Sequence, residues 1–417
     1  MLTRPGRSAT RRGACRALLV VVALAVLAPA GLAITAAPAR AVPADPVRDR
    51  QSWVLNMLDA PAAWTVTKGA GVTVAVIDSG VNPHVSDLAG SVTTGPDYTG
   101  VRTPPSNTHW GVHGTWMASL IAGHGHAGGS SGILGMAPQA KVLSIRVITD
   151  PGDPGYRHYQ HEPTPTVQRS LAAAIRYAVR HRVGVINMSV GYGEASRPVR
   201  SALQYAYDHN VVVLASAGNS GRPAASQAPY SFPADYPGVI SVAAVDRAGS
   251  AARFSSDNLS VQLAAPGVDV PAQGRDGAYW LVSGTSPACA LTAGVAALIR
   301  AAHPRLPAGL IALALTTTTR NRPPGGYDPD VGFGTVDAAA ALAKARQFSI
   351  QPHAAGLAAA VRFGGGKAAV PAPPAFKSGP GALIGFIVLA LGSLALVLIG
   401  MTRLVRRRRL RRRPGTG

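Results

Sequence analysis

Between residues 69 and 347 the chain repeats one theme: a short apolar run, a turn of Gly or polar residues, then an Ala-rich stretch with helical spacing. The runs Val72–Ile77, Val142–Val147, Val183–Met188, Val211–Leu214 and Val239–Val245 are short, rich in β-branched residues and largely apolar on both faces. That pattern marks strands covered on both faces. The stretches Gly114–Ala122, Val167–Arg182, Pro198–His209 and Ser286–Ala302 carry helical periodicity. The alternation predicts an α/β domain with a mostly parallel central sheet and helices on both faces. In such sheets the working residues stand at the carboxyl ends of strands.

Two apolar runs outside this block have a different meaning. Ala17–Ala28 follows a basic segment and precedes Ala39-Arg40-Ala41, the layout of a secretory signal peptide over residues 1–41. Pro29 and Gly31 interrupt the run and argue against a permanent span. Gly381–Met401 offers 21 consecutive uncharged residues, enough for a single transmembrane helix placed at 381–402. Eight arginines between Arg403 and Arg413 follow it, so the positive-inside rule assigns 403–417 to the cytoplasm and the block before it to the outside. Residues 348–380, rich in Pro, Ala and Gly, read as a linker, and residues 42–68 as an N-terminal extension of the catalytic block 69–347. The expected location is therefore the cell membrane, single-pass, with the domain outside.

The formal charge of +21 changes meaning once it is located. Between residues 42 and 402 there are 26 basic and 19 acidic residues, a net of +7. The excess sits at the two membrane flanks, and no nucleic-acid partner is expected. With Cys15 in the targeting segment, Cys289 has no intramolecular partner, so it reads as a small buried residue.

Four sites carry candidate chemistry. Strand Val72–Ile77 delivers Asp78-Ser79-Gly80 at its tip; alone this reads as an Asx turn. His113-Gly114-Thr115 opens a helix, where the positive dipole end favours the neutral imidazole. Val211–Leu214 runs into Ala215-Ser216-Ala217-Gly218-Asn219, where the asparagine alone would be a turn residue. Ser286 precedes Pro287 at the start of an apolar helix, where it alone would be an N-cap. Together they supply an acid, a base, a hydroxyl and an amide donor, the set that acyl transfer requires. A serine needs an imidazole to take its proton, and a carboxylate must fix that imidazole's tautomer. The oxyanion needs donors aimed at it, here the Asn219 amide and the Ser286 N–H.

The order Asp, His, Asn, Ser and the surrounding words resemble the subtilisin-type serine proteases, the subtilases. Val74–Gly80, His113-Gly114-Thr115 with Ala118 to Gly123, and Gly284-Thr285-Ser286 with Ala293-Gly294 resemble that family's three motifs. Gly135-Met136-Ala137-Pro138 and Gly332-Phe333-Gly334-Thr335-Val336-Asp337-Ala338 also match. The resemblance implies a subtilisin-like fold and a serine endopeptidase acting on polypeptides, with Asp78, His113 and Ser286 as the triad and Asn219 as oxyanion donor. It implies that Ser189-Val190-Gly191 and Ser216-Ala217-Gly218 pair with the substrate chain as an added strand. No cofactor is required. The order of signal peptide, domain, proline-rich spacer and span is similar to the mycosins, which implies secretion-system components as partners.

Several positions depart from the family pattern. Trp116 stands where a second histidine is common, and Ala290 and Leu291 replace the usual proline and histidine after the nucleophile. Asp87 fits the carboxylate position of the family's strong calcium loop, but Gly129 replaces a ligating asparagine, which leaves calcium open. The extension 42–68 is too short for a full inhibitory prodomain; a regulatory role for it would require it to wrap the domain as an extension. The insert Asp150–Pro165 reads as a lid or as surface. His109, His113, His124 and His126 form no two-His helical pair with a glutamate, so no zinc is expected. Gly123–Gly128 and Gly128–Gly132 match a dinucleotide fingerprint and a nucleophile elbow only formally, since neither follows a strand. The rival to an active protease is a binding module on a protease fold.

Overall fold

The structure, a computed structural model, describes residues 45–221 and 228–350. The chain contributes β1 (Thr73–Asp78), β2 (Val92–Asp97), the small hairpin β3 and β4 (His124–His126, Ser131–Leu134), β5 (Lys141–Arg146), β6 (Val185–Met188) and β7 (Val212–Ser216). It continues with β8 (Val239–Val245), β9 (Val261–Pro266) and a second hairpin, β10 and β11 (Val270–Gln273, Tyr279–Val282). The helices are α1 (Pro46–Met57), α2 (Ala60–Trp64), α3 (Val112–Ala122), α4 (Tyr156–Gln160), α5 (Thr164–Arg180), α6 (Arg197–Asp208), α7 (Thr285–Ala302), α8 (Ala308–Thr317) and α9 (Ala338–Ile350).

Seven strands form one sheet in the order β2-β5-β1-β6-β7-β8-β9, and every neighbouring pair is parallel. The five expected strands are all central members of it. Each is buried on both faces because side chains alternate between two cores. Val74, Val76, Val142 and Leu214 point into the core that contains α3 and α7. Ala75, Ile77, Leu143 and Met188 point into the core beneath α5 and α6. Moving outward from β1, the chain lies toward β5 on one side and β6 on the other, a topological switch of the kind that opens a crevice at strand carboxyl ends.

Helix α7 runs through the middle of one core, with every residue from Thr285 to Arg300 buried. By length and apolarity it could cross a membrane, but 89% of it is buried within the fold, so it is the core helix. Ala290 and Leu291 lie inside this unbroken helix and are fully buried. Cys289 is also buried, and burial pushes its thiol well above the usual range. An alkylating reagent is expected to leave it unmodified in the native chain and to modify it once the chain is denatured, which intact-mass measurement would read.

The N-terminal extension is built into the domain. Gln51 exchanges two hydrogen bonds with the backbone of Leu134, from Nε2 to the carbonyl (2.7 Å) and from the N–H to Oε1 (3.0 Å). Trp64 Nε1 donates to Met136 O at 2.8 Å, and Ala338 N donates to Leu58 O at 2.9 Å. Helix α9 continues to Ile350, slightly past the expected linker start at 348. The expected signal peptide, most of the linker, the span at 381–402 and the tail lie outside the described residues.

Candidate active site

Asp78 is the last residue of β1, and its side chain is fully buried. Its Oδ1 accepts from His113 Nδ1 at 2.8 Å and from the Ser79 N–H at 2.7 Å. Its Oδ2 is buried and has no partner among the described residues. The Asx turn that the strand tip alone suggests would bond the Gly80 N–H; the oxygen instead serves the adjacent Ser79 N–H and the imidazole together. His113 is the second residue of α3, and about a quarter of its side chain is exposed. Gly114 is held close below it, its N–H donating to Ser79 Oγ at 3.0 Å.

The electrostatics of His113 differ from the helix-dipole expectation. Burial is the largest single influence and disfavours the imidazolium. The charge and hydrogen bond of Asp78, with the charge of Asp150, outweigh it and hold the pKa above the ordinary imidazole value. The dipole reading failed because the first turn of α3 is not electrostatically bare.

Ser286 lies in the first turn of α7 but is not its N-cap. The N-cap is Gly284, at φ 153°, a region that side chains avoid, and no side chain caps the helix there. A Cβ on Gly284 would meet Asn219 Nδ2 at 3.4 Å. The Ser286 hydroxyl is thus free of the capping duty that the sequence alone suggests. It makes no hydrogen bond to His113 among the described residues; such bonds are commonly long without substrate and tighten when it binds.

Asn219 follows β7 and is anchored from behind. Its Oδ1 accepts from the Thr285 N–H and the Thr285 hydroxyl, both at 2.9 Å. Because a backbone N–H can only donate, the amide orientation is fixed, and Nδ2 is the free end. That end is a donor next to the turn that carries Ser286.

The two segments expected to pair with substrate behave differently. Among the described residues the backbone N–H and C=O groups of Ser189, Val190 and Gly191, which follow β6, have no hydrogen-bond partner beyond the sheet ladders, so this segment has backbone groups open to an added strand. In the second segment Ala217 N–H donates to Val242 O (3.0 Å) and Gly218 N–H to Thr285 Oγ1 (3.2 Å). Gly218 O accepts from Ser256 N–H at 3.0 Å. Ser216-Ala217-Gly218 can line the crevice, but Ala217 and Gly218 have their donors committed to Val242 and Thr285.

Trp116 sits edge-on to His113, with ring centroids 6.3 Å apart and planes at 72°, and tilts against Trp280 of β11, also at 6.3 Å. The substitution leaves the Asp78–His113 pair intact and gives that side of the site an aromatic wall. On the other side, the insert is stapled at its base. Asp153 meets Arg146 Nη2 at 2.6 Å and accepts from Thr103 Oγ1 at 2.6 Å. Further along, Tyr159 of α4 neighbours Tyr192, which follows Gly191, and burial pushes the Tyr159 hydroxyl up to about 12.

The residues at the expected calcium loop do not fit a hard cation. Asp87 Oδ1 is bonded to His126 Nδ1 at 2.7 Å, and Oδ2 accepts from the Ile133 N–H at 2.7 Å and the Tyr279 hydroxyl at 3.1 Å. The loop carbonyls of Gly129 (2.9 Å) and Ser131 (3.4 Å), and that of Gly132, accept from the Arg48 guanidinium. Calcium takes six to eight oxygens, and here a side-chain cation from α1 already holds the loop's carbonyls. A Cβ at Gly132 would lie 2.3 Å from Asp87 Oδ1, and its φ is +81°, so only glycine allows this loop to close. Among the described residues no group of three or more His, Cys, Asp or Glu could hold a metal. A chelator should leave the melting temperature unchanged. Arg48→Ala should lower it by roughly 4–8 °C for a loss of ~2 kcal/mol, as read by scanning calorimetry.

The sequence model of the subtilase family matches residues 69–334, well over half of the chain. The chain belongs to the subtilase family. It is a subtilisin-like serine protease. Thermitase from Thermoactinomyces vulgaris is 32% identical over 257 residues, 62% of this chain and 85% of the thermitase sequence. Subtilisin DY from Bacillus licheniformis is 34% identical over 254 residues, 61% of this chain and 85% of its own. Among solved structures, the MycP3 protease from the type VII (ESX-3) secretion system shares 31% identity at a TM-score of 0.59, covering 72% of this chain and 90% of that one. MycP1 from Mycobacterium smegmatis shares 29% identity at a TM-score of 0.58, covering 70% and 84%. The likeness to mycosins expected from the sequence thus extends to the fold.

Proposed function

We propose that this protease is a membrane-anchored, extracytoplasmic endopeptidase with Asp78, His113 and Ser286 as its triad and Asn219 as oxyanion donor. The observation that carries the assignment is the buried Asp78–His113 pair at 2.8 Å, with the Thr285-locked amide of Asn219 beside the turn that holds Ser286. The substrate chain would pair with Ser189-Val190-Gly191, while Ser216, Ala217 and Gly218 wall the crevice. Ser286 Oγ attacks the scissile carbonyl carbon as its proton moves to His113 Nε2. The oxyanion accepts from Asn219 Nδ2 and the Ser286 N–H, which at the start of α7 needs no partner within the helix. Collapse expels the amine, which takes the proton from Nε2. Water, activated in turn by His113, then releases the acyl group.

The sequence supports an exported chain held by the span at 381–402 with its tail in the cytoplasm. Similarity to MycP3, described as part of a type VII secretion system, supports secretion-system components as partners. The test is incubation of the purified chain with a peptide library and mass spectrometry of the products. Asn219→Ala should slow cleavage by about 10²–10³-fold with the fold retained, the loss expected for one oxyanion donor. Full activity in that variant would remove Asn219 from the site.

A further inference from the structure

One carboxylate beside the site has no part in the steps above. Asp150 opens the insert after β5, and the residue is only 5% exposed. Its side chain accepts from the N–H groups of Val112 (2.7 Å) and His113 (3.2 and 3.3 Å). These are the first two N–H groups of α3, whose N-cap, Gly111, has no side chain to serve them. An open helix N-terminus carries partial positive charge, which would oppose charging of an imidazole in its first turn. Asp150 closes that end and reverses the local sign.

We propose that Asp150 is a positioning residue for the reaction: it fixes the backbone of His113 and supplies a second negative charge that stabilises the imidazolium. This rests on the triad assigned above. In the step concerned the Ser286 O–H bond breaks, its proton goes to His113 Nε2, and the electron pair forms the bond from Oγ to the carbonyl carbon. Asp150 neither gains nor loses a proton. The groups facing His113 are Asp78 from β1, Asp150 from the loop after β5, Ser79 beneath Gly114 and the Trp116 ring from α3 itself. Arg146 lies behind Ser79, its Nε donating to Ser79 O at 3.1 Å, and is neutralised by Asp97 and Asp153, each at 2.6 Å. Both carboxylates raise the His113 pKa against burial. Asp150 itself is pushed up, first by burial and then by Asp78, while the Ser79 hydroxyl and the charge and N–H of His113 hold it down. The coupling therefore runs in both directions.

The test needs no known substrate. A fluorophosphonate probe labels the nucleophilic serine only when its base is neutral, so the labelling rate of the full-length chain falls on the acid side of the His113 pKa. In the wild type that acid limb should lie above the ordinary value of 6.5. Asp150→Asn should move it to lower pH by about half a unit to one unit and lower the plateau about tenfold. Asp150→Ser keeps an oxygen near the helix end without the charge and should give the same shift if the Asn variant is unstable. Asp150→Glu should restore part of it. An acid limb and plateau unmoved in a variant that keeps the wild-type melting temperature would overturn the proposal. A wild type that never reacts with the probe would instead overturn the triad, which separates the two failures.

Discussion

Replacing Ser286 with alanine should abolish covalent fluorophosphonate labelling and lower proteolysis by on the order of 10⁶-fold, as for the nucleophile of subtilisin itself. The fold should survive. The hydroxyl does not cap α7, since Gly284 holds that position, and Ser286 makes no hydrogen bond among the described residues that its loss would orphan. Side-chain removal at a position with 8% exposure deletes one oxygen and leaves the Asn219–Thr285 bonds in place. The melting temperature should therefore stay within about 2 °C of wild type while labelling vanishes. Persistent labelling in the variant would move the nucleophile elsewhere.

Asp78→Asn should cost about 10⁴-fold in kcat with little loss of stability. Oδ1 serves two donors at once, His113 Nδ1 and the Ser79 N–H. If the amide oxygen keeps that place, the new NH2 lands at the buried Oδ2 position, where the carboxylate oxygen has no hydrogen-bond partner among the described residues. If the amide flips, NH2 faces the Ser79 N–H and forces His113 into the wrong tautomer. Either orientation also removes the charge that raises the imidazole pKa, so the acid limb of any residual activity should fall toward lower pH. Stability is protected because an unpartnered buried carboxylate oxygen is itself unfavourable. Circular dichroism melting together with a pH–rate profile would check both halves, and a wild-type rate in this variant would remove Asp78 from the mechanism.

The strands and helices that bracket the site were legible because burial on both faces leaves a pattern that needs no knowledge of partners. Val239–Val245 matches its expected ends, and β1, β5, β6 and β7 fall within two residues of theirs. The edge strand β2, Val-Thr-Thr-Gly-Pro-Asp, carries no such pattern because half of it faces solvent and its Pro and Gly read as a turn. Hairpin β10–β11 was missed for a similar reason, as its second strand is largely exposed. Asp78, His113, Asn219 and Ser286 stood out as polar residues at the ends of apolar elements. Asp150, Arg48 and Gln51 did not, because each acts on backbone 37 to 84 residues away in the chain. Arg146 left a visible mark as a single charge inside an apolar run, but its partners carry no periodic signal: Asp97 ends the edge strand β2 and Asp153 lies in the insert.

The way α1 and α2 are moored has a bearing on biogenesis. A ribosome delivers residues 46–64 ahead of the rest of the domain, yet their mooring points are Leu134, Met136 and Ala338. The last of these begins α9, so the Leu58 hook must wait until nearly the whole domain has been synthesised before it can latch. Such late, long-range closure slows folding, and it ties the first helices of the domain to its last.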